Sequence, residues 1–137
     1  MSILIRDDGF KPEDWPHGFT QNRCEINGDN GAALDLAGDA DLSELQRHLN
    51  NIGLIRIEFK SFSDGRGFTL ARRLRLMGFT RRLRARGPLL ADQYAMARRA
   101  GFDEIEVSEE HAERQPEESW LFRANWKAND YQSRLRG

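Results

Sequence analysis

Cys24 is the only cysteine among 137 residues. No intramolecular disulfide can form, and the chain can build neither a CxxC redox pair nor a thiolate cluster for a metal. Catalysis by Cys24 would need a neighbouring base that the sequence does not identify, so it reads as a plain, partly buried thiol. Three histidines, His17, His48 and His111, lie far apart and in no ligand spacing, which argues against a zinc or iron–sulfur site. No apolar run approaches the roughly 20 residues that cross a bilayer. The opening MSILIRDDGF turns acidic before the apolar core of a signal peptide could form. The expectation is a cytoplasmic, bacterial-type protein with no membrane association, no metal and no resident cofactor.

Charge, by contrast, is abundant. Charged residues make up 31% of the chain and hydrophobic ones 39%, the balance of a soluble globular fold. The net charge is −1, but it is unevenly spread. Residues 60–99 hold eleven Lys/Arg against Asp64 and Asp92, whereas residues 103–118 hold eight Asp/Glu against Arg114. A basic middle can meet an oxyanion, nucleic acid or an acidic protein, or it can meet the chain's own acidic segment. Nucleic acid is the weakest of these, because no binding motif is present and few aromatics interleave the arginines.

The length suits a single α/β domain over 1–137, with an irregular N-terminal segment, 1–33, packed on it. Residues 1–6 read as a short strand. Residues 9–30 are rich in Pro, Gly and Asp without a sustained period, with Trp15 and Phe19 available to pin them to the core. ALDL (33–36) fits a strand. Asp39 or Asp41 can cap a helix, Asp41 with Glu44 at capping-box spacing, and Leu42, Leu45 and Leu49 fall on one face, which predicts a helix over 41–51. LIRIEF (54–59) alternates as a strand does. Phe68, Leu70, Ala71, Leu74 and Met77 recur at helical spacing up to Gly78. Strands follow at 81–85 and 102–107, with a helix over 89–100 between them. A last helix opens at Pro116, with Trp120, Phe122, Trp126 and Tyr131 as anchors. Alternating βα units imply a mainly parallel sheet flanked by helices, either open or curled into a partial barrel.

Ligands of such folds bind beyond the carboxyl ends of the strands. That rule draws attention to SDGRG (63–67). Gly65 and Gly67 permit close backbone approach, a helix N-terminus follows, and Arg66 offers a planar two-pronged donor. With Arg86 at the end of the next strand, Asp64, Gly65, Arg66 and Gly67 form a candidate site for a small anion. The stretch is neither a P-loop nor a dinucleotide fingerprint, since Leu70 stands where the third glycine would be. A purely structural corner, with Asp64 capping the helix and Arg66 paired to an acidic neighbour, explains the same residues. Asp92 and Gln93 are candidates for supporting roles, with Asp92 pairing Arg72 or Arg75 to join two helices.

The run from the 54–59 strand through Phe62, Asp64–Gly67, Phe68, Thr69, Ala71-Arg72, Leu74-Arg75, Leu83–Ala85, Gly87, Asp92-Gln93 and 99–103 resembles the bacterial domain of unknown function 934 family. LDLAGDADLSEL (34–45) is also similar to it. Two positions depart from the family pattern: Pro88 stands in place of a frequent aspartate and Ala100 in place of a frequent cysteine. Members are commonly labelled as oxidoreductases involved in sulfite reduction, a label resting largely on genes beside those of sulfite reductase. The resemblance therefore implies a place in sulfur assimilation, with sulfite reductase or a related protein as partner. The residues themselves carry no flavin, nicotinamide or haem signature, which favours an accessory that binds a small oxyanion or the reductase. The alternative is an oxidoreductase or other enzyme, with Asp64 as acid/base and Arg66 as clamp. Exposed sheet edges and the C-terminal aromatics leave a homodimer open.

Overall fold

The structure is a computed structural model that describes residues 2–15, 19, 32–43, 45–115 and 117–123. Its sheet contains β1 (Ser2–Arg6), β2 (Gly9–Pro12), β3 (Ala32–Leu36), β4 (Ile52–Glu58), β5 (Arg82–Arg86) and β6 (Glu104–Ser108). The helices are α1 (Arg66–Leu76), α2 (Tyr94–Ala100), α3 (Glu109–Arg114) and α4 (Glu117–Arg123).

The strand order is β2-β1-β6-β5-β4-β3. The β3–β4, β4–β5 and β5–β6 pairs are parallel, but β1 runs antiparallel to both β6 and β2. The sheet is therefore mixed, and the expectation of a mainly parallel sheet is corrected. Hydrophobic alternation carries no strand direction. A chain that turns back at Asp7-Asp8 after five residues has no room for the crossover a parallel neighbour needs. The hairpin covers the edge that β6 would otherwise expose.

Strict βα alternation also fails. The helix expected over 41–51 is a 3-10 helix, Leu45–Asn51, and Asp41 accepts from the Ser43 amide at 2.9 Å. Glu44, Trp126 and Tyr131 lie outside the described residues. Another 3-10 turn, Ala91–Gln93, precedes α2. The acidic stretch after β6, unassigned from sequence, forms α3, whose first turn is capped by Ser108 Oγ accepting the His111 amide at 3.1 Å.

The two faces of the sheet differ. Leu34, Ile55, Ile57, Leu83, Ala85, Ile105 and Val107 join Phe68, Leu70, Ala71, Leu74, Tyr94, Ala97 and Trp120 in one apolar core. Because strand side chains alternate, these strand residues share the face on which the helices pack. Phe59, Phe68 and Phe102 meet at its centre, with ring centroids 4.9–6.3 Å apart. The opposite face carries Asp35, Arg56, Arg82, Arg84, Arg86, Glu104 and Glu106.

Candidate functional site

The Asp64–Gly67 corner leads into α1 and is reached from β4 through residues 59–63. Asp64 accepts three hydrogen bonds from Arg66: from the amide at 3.3 Å, from Nε at 3.0 Å and from Nη2 at 3.3 Å. The Arg66 hydrogen bonds, with an added backbone donor from Lys60, hold the Asp64 carboxyl below the usual carboxylate range. Asp64 thus places its own negative charge at the N-terminus of α1, where the helix dipole favours one. The two glycines have different reasons to be there. Gly65 has φ −89°, ordinary backbone, and a Cβ on it would meet nothing within 4 Å. A Cβ on Gly67 would lie 2.4 Å from the Phe59 ring, so that glycine lets α1 pack against the aromatic cluster.

Gln93 ties this corner to the next connection. Its Nε2 donates to the Phe62 carbonyl at 2.6 Å and its Oε1 accepts from the Leu90 amide at 2.8 Å. Arg72 and Asp92 are both exposed. Arg75 takes a different partner from the one expected. It donates to the Gly101 carbonyl at 2.7 and 3.0 Å, to the Phe79 and Arg81 carbonyls, and to Asp103 at 3.0 Å. The α1–α2 tie runs through the Gly101 carbonyl at the end of α2, because Arg75 lies in the last turn of α1, facing that end.

Arg86 belongs to a separate cleft at the ends of β5 and β6. No hydrogen bond or ion pair joins it to Asp64–Gly67 among the described residues. Gly87 makes the bend possible: its φ is +146°, and a Cβ would lie 2.2 Å from the Phe59 carbonyl oxygen. Its amide donates to the Glu106 carbonyl at 3.1 Å, while the Arg86 carbonyl accepts from the Phe59 amide at 2.7 Å. Beyond this bend is a cavity of about 320 Å³ lined by Ser2, Arg86, Pro88, Glu106, Ser108 and His111. His111 Nε2 lies 2.6 Å from the Leu89 carbonyl; a carbonyl only accepts, so Nε2 is the donor. The Arg86 side chain is half exposed, and among the described residues its Nε pairs with Glu106 at 3.4 Å.

The largest feature was not singled out from sequence. Arg84 is wholly buried; its Nε donates to Glu104 at 2.6 Å, and its Nη1 donates to Glu106 at 2.8 Å and Glu13 at 2.7 Å. Arg56 grips Asp35 with two bonds of 2.6 and 2.7 Å and reaches Glu106 at 3.1 Å. Arg82 and Arg6 both donate to Glu104. Burial alone would pull the Arg84 guanidinium down, but the carboxylates around it hold it above the ordinary arginine value. The signal was present in RIE, RLRAR and EIE, three neighbouring strands with a charge at every second position, in which Arg84 and Arg86 stand opposite Glu104 and Glu106. Much of the basic middle therefore meets the chain's own acidic segment. Among the described residues, no group of three or more His, Cys, Asp or Glu is placed to hold a metal ion, and no helix is long and apolar enough to cross a membrane.

Fold and site together define an α/β protein whose mixed sheet has an apolar, helix-covered face and a face of paired charges. The chain belongs to the family described as "Bacterial protein of unknown function (DUF934)", whose sequence model matches residues 33–136. No curated protein and no solved structure matches it.

Proposed function

We propose that this protein is a non-catalytic accessory of assimilatory sulfate or sulfite reduction that binds a small oxyanion at the Arg86 cleft. One observation carries the reading: Arg86 presents a half-exposed guanidinium, whose ion pair among the described residues is with Glu106 through Nε, to a cavity that also holds Ser2, Ser108 and His111. Glu106 beneath it is already shared by Arg84 and Arg56, so the outward nitrogens of Arg86 are available to an acceptor of matching geometry. The cavity falls at the lower end of the size range of small-molecule sites. The choice of a sulfur oxyanion, and of sulfite reductase as the protein that would receive or supply it, rests on the family's customary association. Arg66 is the poorer candidate, since Asp64 already fills its donor edge. The lowered Asp64 carboxyl also suits an anchor better than a proton shuttle at neutral pH.

Calorimetric titration with sulfite, sulfate and phosphate tests this. Heat is expected from at least one of them with the unmodified chain and with Arg66→Ala, and none with Arg86→Ala. Silence with all three anions, or loss of the signal in Arg66→Ala alone, would overturn the assignment.

A further inference from the structure

The lower half of the charged face is held by a short segment of the same chain, and that segment has the composition of a ligand. Glu13 accepts from Arg84 at 2.7 Å, and Asp14 accepts from Arg6 at 2.7 Å and from Arg82 at 2.9 Å. Two aromatic rings complete the grip. Arg82 lies 5.8 Å from the Trp15 ring centroid, and Phe19 sits 3.6 Å from Arg56 and 5.5 Å from Arg84. The strand residues of the ion-paired network comprise Arg6, Arg56, Arg82, Arg84 and Arg86 against Asp35, Glu104 and Glu106. Leaving aside Arg86, which faces the other cleft, four arginines stand against three strand carboxylates, and Glu13 and Asp14 more than cover the remaining positive charge. The match is incomplete: among the described residues Nη2 of the buried Arg84 has no hydrogen-bond partner, and Asp14 Oδ1 stops 3.7 Å away. A buried guanidinium with an unused donor is costly, and an acidic segment that reached it would bind better than the resident one.

We propose that this arginine face is a docking site for an acidic–aromatic peptide segment of a partner protein, occupied in cis by Glu13, Asp14, Trp15 and Phe19. Exchange replaces one carboxylate by another on the same guanidinium groups. The ion pairs made and broken are alike in kind, and only the difference in fit between the two segments drives the shift. The surface adjoins the Arg86 cleft, with which it shares Glu106, but takes its ligand on Arg6, Arg82 and Arg84.

The test uses the full chain and a fluorescent, end-blocked peptide of sequence FKPEDWPHGFT, read by anisotropy. Glu13→Gln/Asp14→Asn, which weakens the resident segment, is expected to bind the peptide about tenfold more tightly than the unmodified chain. Adding Arg82→Ala to that background should abolish the gain, and a peptide with Gln-Asn in place of Glu-Asp should lose about tenfold. A folded double variant that binds no better than the unmodified chain overturns the proposal, as does binding indifferent to Arg82. Should circular dichroism show the double variant unfolded, Asp14→Asn alone must tighten binding about threefold, and its failure to do so overturns the proposal equally. Concentration-dependent dimerisation of the unmodified chain that Arg82→Ala abolishes would assign the face to a second copy and overturn an external partner.

Discussion

The two faces of this sheet are built from the same strands, residue by alternate residue, yet they are held by different physics. On one face Ile57, Leu83, Ala85 and Ile105 lose apolar surface to water, and the gain follows from area and shape. On the other, Arg56, Arg84, Glu104 and Glu106 give up hydration and must recover it through geometry. A mismatch on the first face costs a cavity. On the second it leaves a buried charge without a partner. The apolar face therefore serves packing, while the charged face depends on particular partners, and both proposed binding surfaces lie on it or at its end.

The comparison breaks most sharply at Arg84. Arg84→Ala removes the donor that Glu104 and Glu106 share in the buried centre of the face, leaving each only its other arginines, and should cost about 3–5 kcal/mol, measured by urea unfolding. Arg84→Lys should recover little, because one ammonium cannot serve Glu13, Glu104 and Glu106 together. Leu83→Ala, its neighbour on the opposite face, should cost about 2–4 kcal/mol through transfer and cavity terms. Its penalty should also change less with added salt than that of Arg84→Ala. A larger loss at Leu83 than at Arg84 would mean that the charged face is solvated rather than buried.

Gly67→Ala should cost about 1–3 kcal/mol by overpacking against Phe59, whereas Gly65→Ala should stay within about 0.5 kcal/mol. Equal effects would return both glycines to a common, ligand-facing role.

The gentlest probe is pH. Burial raises the Glu13 and Asp14 carboxyls, but hydrogen bonds from Arg84 and the Trp15 amide to Glu13, and from Arg6 and Arg82 to Asp14, outweigh it and leave both below their ordinary values. Groups with a lowered folded value contribute stability that is fully present above about pH 4–5 and is lost as pH falls through the folded value. The melting temperature should drop on acidification in that window, and the drop should be shallower in Glu13→Gln/Asp14→Asn. Parallel curves would show that the two carboxylates titrate as they do in the unfolded chain.

Strand and helix positions were legible because they follow from periodicity. LIRIEF alternates, and Phe68, Ala71 and Leu74 repeat at helical spacing, so β4 and α1 fall within two residues of their expected places. The direction of β1 was not legible, since alternation is the same in both orientations. The pairing of Asp64 with Arg66 is local, two residues apart, and was among the sequence alternatives. The separation of Arg86 from that corner was not readable. Two strand ends that share a rim in principle can open on different sides of the bend at Gly87. The charged face was written in the spacing of RIE, RLRAR and EIE, but only as three unrelated alternations.

Composition and period alone thus account for an α/β fold, a thiol-poor chain and a basic middle beside an acidic segment. What they leave open is pairing. Whether Arg84 faces water, a ligand or Glu104 depends on which strand lies beside it and in what register. Those contacts join residues 20 to 71 positions apart, and a local pattern carries no information about such distances.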